Sequence, residues 1–144
     1  MKCQFCELKE VKQRKIAENA LAWCFPTNIP IVPGHVLICP LRHVSSMDDL
    51  TPQELQALLD LRSKLKKAMV KIFDAEGFNY AWNEGEAAGQ FVPHLHLHML
   101  PRKKGDKGIY KYEPRKFLYR PGSREVSQQD ELLKVAHLLK EAIK

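Results

Sequence analysis

The sequence predicts an α+β domain with an antiparallel sheet of about five strands, one long helix across the sheet and a C-terminal helix. Three observations predict this fold: strand-like segments lie on both sides of one long helical segment, histidine and apolar residues alternate over residues 94–100, and a second amphipathic helix ends the chain. The order strands, helix, strands, helix is typical of an antiparallel sheet with segregated helices. At 144 residues the chain has the length of one domain with a substantial core, so we interpret residues 1–144 as a single domain.

The first part of the predicted sheet precedes the long helix. Residues 14–25 are expected to form a pair of strands that turns near Glu18-Asn19. Pro33-Gly34 is a turn signal. The residues from His35 to Cys39 are apolar after the first and stop at Pro40, which predicts a buried central strand.

The long helix is expected to begin at Thr51. The run Thr51-Pro52-Gln53-Glu54 forms a capping box with proline at the first helical position, and Gly77 is the expected end. The apolar residues expected on its buried stripe are Leu55, Leu58, Leu59, Leu65, Met69, Ile72 and Phe73.

The second part of the sheet and the last helix follow. Residues 78–83 are expected to form a strand, residues 85–89 a turn and residues 91–100 the strand that carries the histidines. Ser127 is expected to cap a helix over residues 127–143. The expected buried stripe of that helix is Leu132, Val135, Ala136, Leu139, Ala142 and Ile143.

Charge is unevenly distributed along the chain. The net charge is +6, and residues 102–124 alone carry nine Lys or Arg against two acidic residues. This basic loop, which we place at residues 103–126, directly follows the histidine strand, where it would favour an anionic ligand. A solvated basic loop is the alternative. The sequence shows no signal-peptide core and no apolar run long enough to span a membrane, which predicts a cytoplasmic protein without membrane contact.

Three of the six histidines occupy alternate positions in one run: His94, His96 and His98. In an extended strand these imidazoles share one face, while the apolar residues between them share the other and anchor the strand on a core. Imidazoles can attack, accept protons or bind metal near neutral pH. The alternatives are a surface strand with outward polar residues or a purification tag, although a tag would be terminal and consecutive.

Several residues near this run are candidates for binding a phosphate. His35 follows the Pro-Gly turn, from where its side chain can enter a cleft. Asn83, Gly89 and Gln90 lie just before the histidine run, where glycine allows backbone N–H groups to approach an oxyanion and amide side chains can donate to phosphate oxygens. The sequence has no Walker-type lysine motif and no carboxylate cluster for magnesium, so we expect no catalytic metal.

At these residues the chain resembles the histidine-triad (HIT) superfamily of nucleotide-binding proteins. The run HLHLHML over residues 94–100 matches the signature HφHφHφφ of that superfamily, where φ is apolar. PGHVLICPLR over residues 33–42, AGQFVPH over residues 88–94 and the following Pro101-Arg102 are similar to the Fhit-like and bacterial HIT branch of dinucleoside polyphosphate or nucleoside phosphoramidate hydrolases. The resemblance covers about residues 15–102.

The resemblance implies a HIT fold, a homodimer and a two-step reaction. In such proteins the middle histidine, here His96, attacks the α-phosphorus of a nucleotide, and water hydrolyses the nucleotidyl-histidine intermediate. His98 and His35 would flank the phosphate, His94 would complete the catalytic set, and Asn83, Gly89 and Gln90 would contact the substrate. A structural pairing of His98 with His35 is the alternative for those two residues.

Two positions depart from the pattern of the family. Relatives usually carry Ser or Thr directly after the glutamine, whereas this chain has Phe91, whose side chain cannot donate to a phosphate. The polar residue expected to bind the ribose before Pro33 is either Thr27 or Asn28. Both departures concern the choice of substrate more than the type of reaction.

Cys3-x-x-Cys6 has the spacing of half a metal site. Some HIT proteins pair such a motif with two histidines, which in this chain are His43 and His94. The resemblance therefore implies a structural Cys₂His₂ zinc site with no open position. In the alternative, Cys3 and Cys6 are free thiols and His43 and His94 form a proton relay. Cys24 and Cys39 lie in apolar strands and are expected to be packed thiols.

The sequence therefore predicts a hydrolase that releases a nucleoside monophosphate from a phosphoanhydride or phosphoramidate. The expected partners are a purine nucleotide or dinucleoside polyphosphate and a second copy of the chain. A non-catalytic nucleotide-binding or interaction protein is the first alternative, and the intact triad argues against it. A nucleic-acid end-processing enzyme is the second; it is prompted by the basic segment, but the zinc finger of such relatives is missing because no Cys follows Cys39.

Overall fold

A computed structural model describes residues 3–106 and 126–144. Most of the predicted basic loop, residues 107–125, lies outside the described residues. The helices are α1 (Gln4–Glu7), α2 (Lys9–Gln13), α3 (Pro52–Phe73) and α4 (Gln129–Ile143). The strands are β1 (Ala17–Glu18), β2 (Ala22–Pro26), β3 (Val36–Pro40), β4 (Gly77–Trp82) and β5 (Leu97–Arg102). Within the described part of the chain, no helix combines the length and apolarity that crossing a bilayer requires.

The strands form one antiparallel sheet in the order β1-β2-β3-β5-β4. The long connection through α3 therefore delivers β4 to one edge, and β5 inserts between β3 and β4. The predicted α+β architecture, with five antiparallel strands, one long helix and a C-terminal helix, is confirmed.

The two long helices cover one face of this sheet. Val36, Ile38, Leu97 and Met99 point from β3 and β5 into the same core as the buried stripes of α3 and α4. Leu95, Leu97 and Met99 are almost completely buried. The predicted apolar anchor of the histidine run is therefore confirmed.

The N-terminal segment covers the opposite face. Cys3, Phe5 and Val11 from the α1–α2 region pack against apolar side chains that β2 and β3 present on that face, chiefly Phe25 and Leu37. The histidine face of β5 is continuous with this second cluster, because His98 is paired with Leu37 and Leu37 with Phe25. Side chains from the first residues of the chain are thereby placed beside the histidines.

The structure confirms the start of α3 and corrects its end. Thr51 Oγ1 accepts the backbone N–H of Glu54 at 3.0 Å, and the Glu54 carboxylate accepts the N–H of Thr51 at 3.0 Å, which is the predicted capping box. The helix ends at Phe73 rather than at Gly77, because Asp74 adopts the left-handed conformation (φ 53°) of a helix C-cap. Gly77 is instead the first residue of β4.

Part of the predicted stripe on α3 was wrong. Leu55 and Leu59 are more than one-third exposed, whereas Leu61 and the small residues Ala57 and Ala68 are buried. The buried face is rotated towards these alanines, whose small side chains let the helix approach the sheet closely.

Two further predictions are corrected near the site. The predicted strand over residues 91–100 begins only at Leu97; before it, the Leu95 N–H donates to the Val44 carbonyl at 2.7 Å instead of to a sheet neighbour. Ser127 does not cap the last helix, which has Gln128 at its N-cap; the Ser127 N–H donates to the Asn28 carbonyl at 2.7 Å. The predicted stripe of that helix is confirmed, with Leu132, Ala136 and Leu139 buried.

Candidate active site and metal centre

A cleft of about 90 Å³ lies on the histidine face, between β3, β5 and the N-terminal segment. Five of the predicted site residues line it: Thr27, Asn28, Gly89, His96 and His98. Gly89 has a φ of 93°, a conformation that favours glycine, so the backbone can turn tightly against the cleft wall. The cleft thus joins the histidine strand to the loop before Pro33, as the sequence predicts.

His96 is held with its reactive nitrogen unprotonated. Its Nδ1–H donates to the His94 carbonyl at 2.8 Å, and because a carbonyl only accepts, the proton of the neutral ring must be on Nδ1. The lone pair is therefore on Nε2. Burial lowers the pKa of His96, since desolvation disfavours the imidazolium, and the ring is neutral near pH 7.

His35 and His98 form a hydrogen-bonded pair, and their proton positions can also be assigned. The Ile31 N–H donates to His35 Nδ1 at 3.1 Å, so the proton of neutral His35 is on Nε2. That N–H donates to His98 Nδ1 at 2.9 Å, which places the proton of neutral His98 on Nε2. The cleft therefore contains a lone-pair nitrogen on His96 next to a protonated nitrogen on His98, with ring centroids 5.0 Å apart.

Asn83 directly follows β4 and is not among the residues that line the cleft. The last paired residues of β4 and β5 are Trp82 and Leu97, so both Asn83 and His96 lie just outside the paired part of the sheet. Asn83 is 3% exposed, and its Oδ1 is a fully buried atom without a hydrogen-bond partner in the described part of the chain. A buried polar atom in this state is costly, and a polar ligand would relieve the cost.

Both polar groups of the Gln90 side chain are hydrogen-bonded to the protein backbone. Its Oε1 accepts the Gly85 N–H at 2.7 Å, and its Nε2 donates to the Ser45 carbonyl at 3.0 Å. These bonds tie the loop before the histidine run to the loop after β3. The side chain of Gln90 holds the cleft wall in this structure rather than pointing a free amide into the cleft.

The residues at the two positions that depart from the family pattern all line the cleft: Phe91 at one, and Thr27 and Asn28 at the other. Phe91 lines the cleft and is 56% exposed. Thr27 is buried, and its Oγ1 accepts the Ile29 N–H at 3.3 Å. Thr27 and Asn28 both line the cleft, so the structure leaves both as candidates for the ribose.

Phe5 and Arg14 are among the cleft residues that sequence reasoning missed. The ring of Phe5 meets His96 edge-on, with centroids 5.2 Å apart. Its position between Cys3 and Cys6 was the available signal, because fixing those cysteines beside His94 also fixes Phe5. Arg14 is 6% exposed and lines the far end of the cleft, and no sequence motif marks it.

The predicted Cys₂His₂ set does assemble, on the other side of His94. The Nδ1 of His94 lies 3.5 Å from Cys3 Sγ and 3.4 Å from Cys6 Sγ, and the Nδ1 of His43 lies 3.7 Å from Cys6 Sγ. All four donor atoms lie within 4.8 Å of one another, so this cluster could hold a metal ion. The His94 Nε2–H donates to the Pro40 carbonyl at 2.8 Å, which leaves Nδ1 as the lone-pair nitrogen towards the cysteines.

The spacing of the cluster fits a tetrahedral ion. Bonds of about 2.3 Å to sulfur and 2.1 Å to nitrogen place neighbouring ligand atoms about 3.4–3.8 Å apart in a tetrahedron. Three of the six separations, at 3.4, 3.5 and 3.7 Å, fall in that range, and all six are within 4.8 Å. Burial, followed by the neighbouring Cys3, raises the pKa of Cys6 to about 11, so the thiol keeps its proton unless a cation displaces it.

The remaining two cysteines take no part in either site. Cys24 and Cys39 are free and completely buried in β2 and β3. Burial raises the pKa of Cys24 to about 12, as expected for a packed thiol. Their prediction as core residues is confirmed.

The fold and site define a class of protein that presents a row of histidines, next to a Cys/His cluster, on one face of an antiparallel sheet. The chain belongs to the HIT domain family, whose profile matches residues 8–105. The resemblance stated from the sequence is thereby confirmed.

Relatives and solved structures support this assignment. The bis(5'-nucleosyl)-tetraphosphatase (asymmetrical) of Schizosaccharomyces pombe is 47% identical over 77 residues, which are 54% of this chain and 42% of that protein. The chain thus spans less than half of that relative. The adenosine 5'-monophosphoramidase hnt1 of the same organism is 32% identical over 111 residues, 76% of this chain and 80% of that protein. A Zn-bound histidine triad family protein from Mycobacterium smegmatis superposes with a TM-score of 0.73 at 26% identity, covering 99% of this chain and 94% of that chain.

Proposed function

We propose that the protein is a nucleotide hydrolase that releases a nucleoside monophosphate from a phosphoanhydride or a phosphoramidate through a nucleotidyl-His96 intermediate. The observation that carries the proposal is the position of the ring proton on each of two histidines in the cleft, His96 and His98. Backbone hydrogen bonding leaves Nε2 of His96 as a lone pair, and the His35 contact leaves Nε2 of His98 as a donor. The names of the relatives above, a dinucleoside tetraphosphatase and a phosphoramidase, support the same chemistry.

The reaction takes two displacements at phosphorus. In the first, His96 Nε2 forms a bond to the α-phosphorus, and the bond from phosphorus to the leaving oxygen or nitrogen breaks with its electron pair on the leaving group. In the second, water forms a bond to phosphorus, the N–P bond breaks, and its electron pair returns to Nε2. The proton lost by the water balances the charge left on the leaving group. The N–H of His98 donates to a phosphoryl oxygen throughout, which stabilises the charge of the transition state.

The surrounding residues would bind and orient the nucleotide. We assign Asn83 to the nucleotide: its Nδ2 group can donate to a phosphoryl oxygen, and its buried Oδ1, which lacks a partner among the described residues, would accept a hydrogen bond from a hydroxyl group of the ligand. Gly89 would contribute its backbone, and Thr27 or Asn28 would bind the ribose. Gln90 would keep its two backbone contacts and shape the loop that approaches the phosphate.

We also propose that Cys3, Cys6, His43 and His94 hold a structural zinc ion. Four protein ligands leave no open position, so the ion would supply stability rather than chemistry. Because His94 also accepts the His96 N–H through its carbonyl, the cluster would keep the backbone that orients the nucleophile in place. The zinc-bound relative with this fold supports the choice of metal.

We further propose that the protein forms a homodimer and is located in the cytoplasm. β4 is an edge strand of the described sheet, and pairing of two such edges would join two copies into a homodimer. Cysteines that remain free, two of them in a metal-binding arrangement, are typical of a reducing cytoplasm. The packing of α4 against α3 supports a single domain.

The test is turnover of both substrate classes with mass-spectrometric assignment of the products. A diadenosine or diguanosine polyphosphate and a nucleoside phosphoramidate are incubated with the wild type and with His96→Asn. We expect a nucleoside monophosphate from at least one class with the wild type only. Nucleotide binding without turnover would instead favour a non-catalytic binding protein, and equal turnover by the variant would refute the assigned nucleophile.

A further inference from the structure

Arg14 is the one charged side chain that lines the cleft within the described residues, and the proposed reaction does not use it. It is 6% exposed, and burial lowers its pKa, because the charged guanidinium is desolvated. No carboxylate of the described residues lies within ion-pair distance of it. The Glu10 carboxylate attracts the guanidinium only from beyond ion-pair distance and raises its pKa less than burial lowers it. A buried guanidinium without a direct ion pair needs acceptors from elsewhere.

The protein holds this guanidinium in a fixed orientation. Its Nε–H donates to the Pro26 carbonyl at 2.8 Å, and Nη1 donates to Gln129 Oε1 at 3.2 Å. The guanidinium also lies 5.8 Å from the ring centroid of Phe25. Arginine has five N–H donors, so these two bonds leave donors on Nη1 and Nη2 for a ligand in the cleft. Gln129 is itself fixed, because its Nε2 donates to the Glu10 carbonyl at 2.9 Å.

The position of Arg14 relative to the histidines limits what it can contact. His98, Leu37 and Phe25 are cross-strand neighbours on three adjacent strands, so they form a row across one face of the sheet. With strands about 4.8 Å apart, the row separates Phe25 from His98 by about 10 Å. The Arg14 guanidinium lies over the ring of Phe25, at that end of the row. A nucleotide with its phosphate at the histidines would lay its sugar and base over the apolar middle of the row. The edge of its base would then meet the guanidinium.

We propose that Arg14 is a specificity-determining residue that selects a guanine base, whose adjacent O6 and N7 acceptors match two parallel guanidinium donors. This inference rests on the proposed function, since it takes the phosphate to be held at His96 and His98. Adenine presents a donor N6 amino group where guanine presents O6, so it would meet the guanidinium with one acceptor and one mismatched donor. An arginine positioned in this way discriminates between the two bases by about 10- to 100-fold.

The experiment compares kcat/KM for diguanosine, diinosine and diadenosine polyphosphates of equal phosphate number. The wild type is expected to prefer the guanine substrate over the adenine one by about tenfold or more. The inosine substrate should behave like the guanine one, because hypoxanthine keeps O6 and N7. Arg14→Lys keeps the charge without the paired donors, and Arg14→Met removes both; each should reduce the preference to about threefold or less.

Controls separate base selection from structure. Lys15→Gln changes a neighbouring exposed cation that pairs with Glu18 outside the cleft, and it should leave the ratio of guanine to adenine turnover unchanged. A merely structural role for Arg14 would lower turnover of all three substrates equally and keep their ratio. Affinities for GMP and AMP, measured by calorimetry, give the same ratio without catalysis, so the base preference can be read even if no substrate is hydrolysed.

Three outcomes would overturn the proposal: a wild type that accepts both bases equally, one that prefers adenine, or a guanine preference that survives Arg14→Met. In a second series of diguanosine and diadenosine polyphosphates of different lengths, an effect of Arg14→Lys that follows the number of phosphates and not the base would also overturn it, because the guanidinium would then bind the phosphate chain. Each of these results leaves the proposed hydrolysis intact. A complete absence of turnover with a retained GMP preference would refute the hydrolase and support the base selection.

Discussion

His94 and His98 occupy equivalent alternate positions on either side of His96, yet their surroundings differ completely. The lone pair of His94 is directed at the two cysteines, because its other nitrogen donates to the Pro40 carbonyl. His98 has the opposite arrangement, in which a histidine donor occupies its Nδ1 and leaves a proton on Nε2. In the proposed function, one histidine would bind a cation and the other would donate to an anion.

The difference shows that the partner on one ring nitrogen decides what the other nitrogen can do. Sequence alternation predicts that all three rings share one face, although only His98 lies within β5, and it does not assign their roles. The backbone groups of Pro40, Ile31 and His94 assign them. Variants that remove one ring at a time should therefore separate catalysis from metal binding.

The largest effect is expected for His96→Asn. Removal of the attacking nitrogen should lower kcat by about 10⁴-fold or more, as for other covalent nucleophiles. Steady-state kinetics on the best substrate measure it, and His137→Asn, which changes an exposed histidine on α4, is the matched control. A variant with more than one-tenth of wild-type kcat would show that another group attacks the phosphorus.

The second-largest loss of activity is expected for substitution of His35, the hydrogen-bond partner of His98. His35→Leu removes the donor that fixes the tautomer of His98 and should lower kcat/KM by about 100-fold, within the range found for orienting partners of active-site histidines. His35→Gln can still offer an N–H and should recover part of the loss. Equal activity of both variants and the wild type would mean that the pair is only structural.

Substitution of His43, which belongs to the same Cys/His cluster as His94, should change metal content and stability more than catalysis. His43→Asn should reduce bound zinc from about one ion per chain to substoichiometric levels while kcat falls by less than about tenfold, because a four-ligand zinc site is structural. With free zinc at 100 times its Kd, the wild type should gain about 2.7 kcal/mol in free energy of unfolding that the variant lacks. Metal analysis and thermal unfolding with and without a chelator measure both quantities, with His137→Asn as the control. Loss of catalysis that matches His96→Asn would contradict a structural role.

The smallest effect is expected for Glu54, which pairs with Arg42 outside the cleft and the metal cluster, and it concerns stability and not catalysis. The Arg42 guanidinium, followed by the Thr51 N–H, lowers the pKa of Glu54 from 4.5 to about 2. Because the folded pKa lies below the unfolded one, this stabilisation is complete above about pH 4.5 and is lost as the pH falls towards 2. The stability difference between the wild type and Glu54→Gln should therefore be largest at neutral pH and shrink below pH 4, with kcat unchanged.

Chemical denaturation between pH 3 and pH 7 checks this prediction. Glu141→Gln, which breaks an exposed pair with Lys144, serves as the control and should change stability little at any pH. A difference for Glu54→Gln that grows as the pH falls would contradict the assigned direction of the pKa shift.

The sequence predicted those parts of the molecule that depend on local signals. The capping box at Thr51, the antiparallel sheet and the buried face of the histidine run follow from neighbouring residues and periodicity. The end of α3 was missed because Asp74, without glycine's freedom, takes the left-handed C-cap conformation. The start of β5 was missed because Leu95 pairs with Val44, a contact between segments far apart in the chain.

The site was predicted in its residue types but not in its arrangement. The resemblance supplied the ligand set at Cys3, Cys6, His43 and His94, and the structure brings those donors together. The proton positions on His94 and His98 depend on Pro40 and His35, which lie far away in the sequence, so the histidine motif could not give them. Arg14 was missed for a similar reason: it reaches the cleft through contacts with Pro26 and with Gln129, which is more than one hundred residues away in sequence.

The most direct measurement is a rapid-quench experiment that traps the enzyme during its first turnover, followed by peptide mass spectrometry under conditions that preserve N–P bonds. The account predicts that one nucleoside monophosphoryl group appears on His96 and decays no more slowly than kcat. An adduct on His94 or His98, or steady turnover with inversion at phosphorus and no adduct at all, would contradict it.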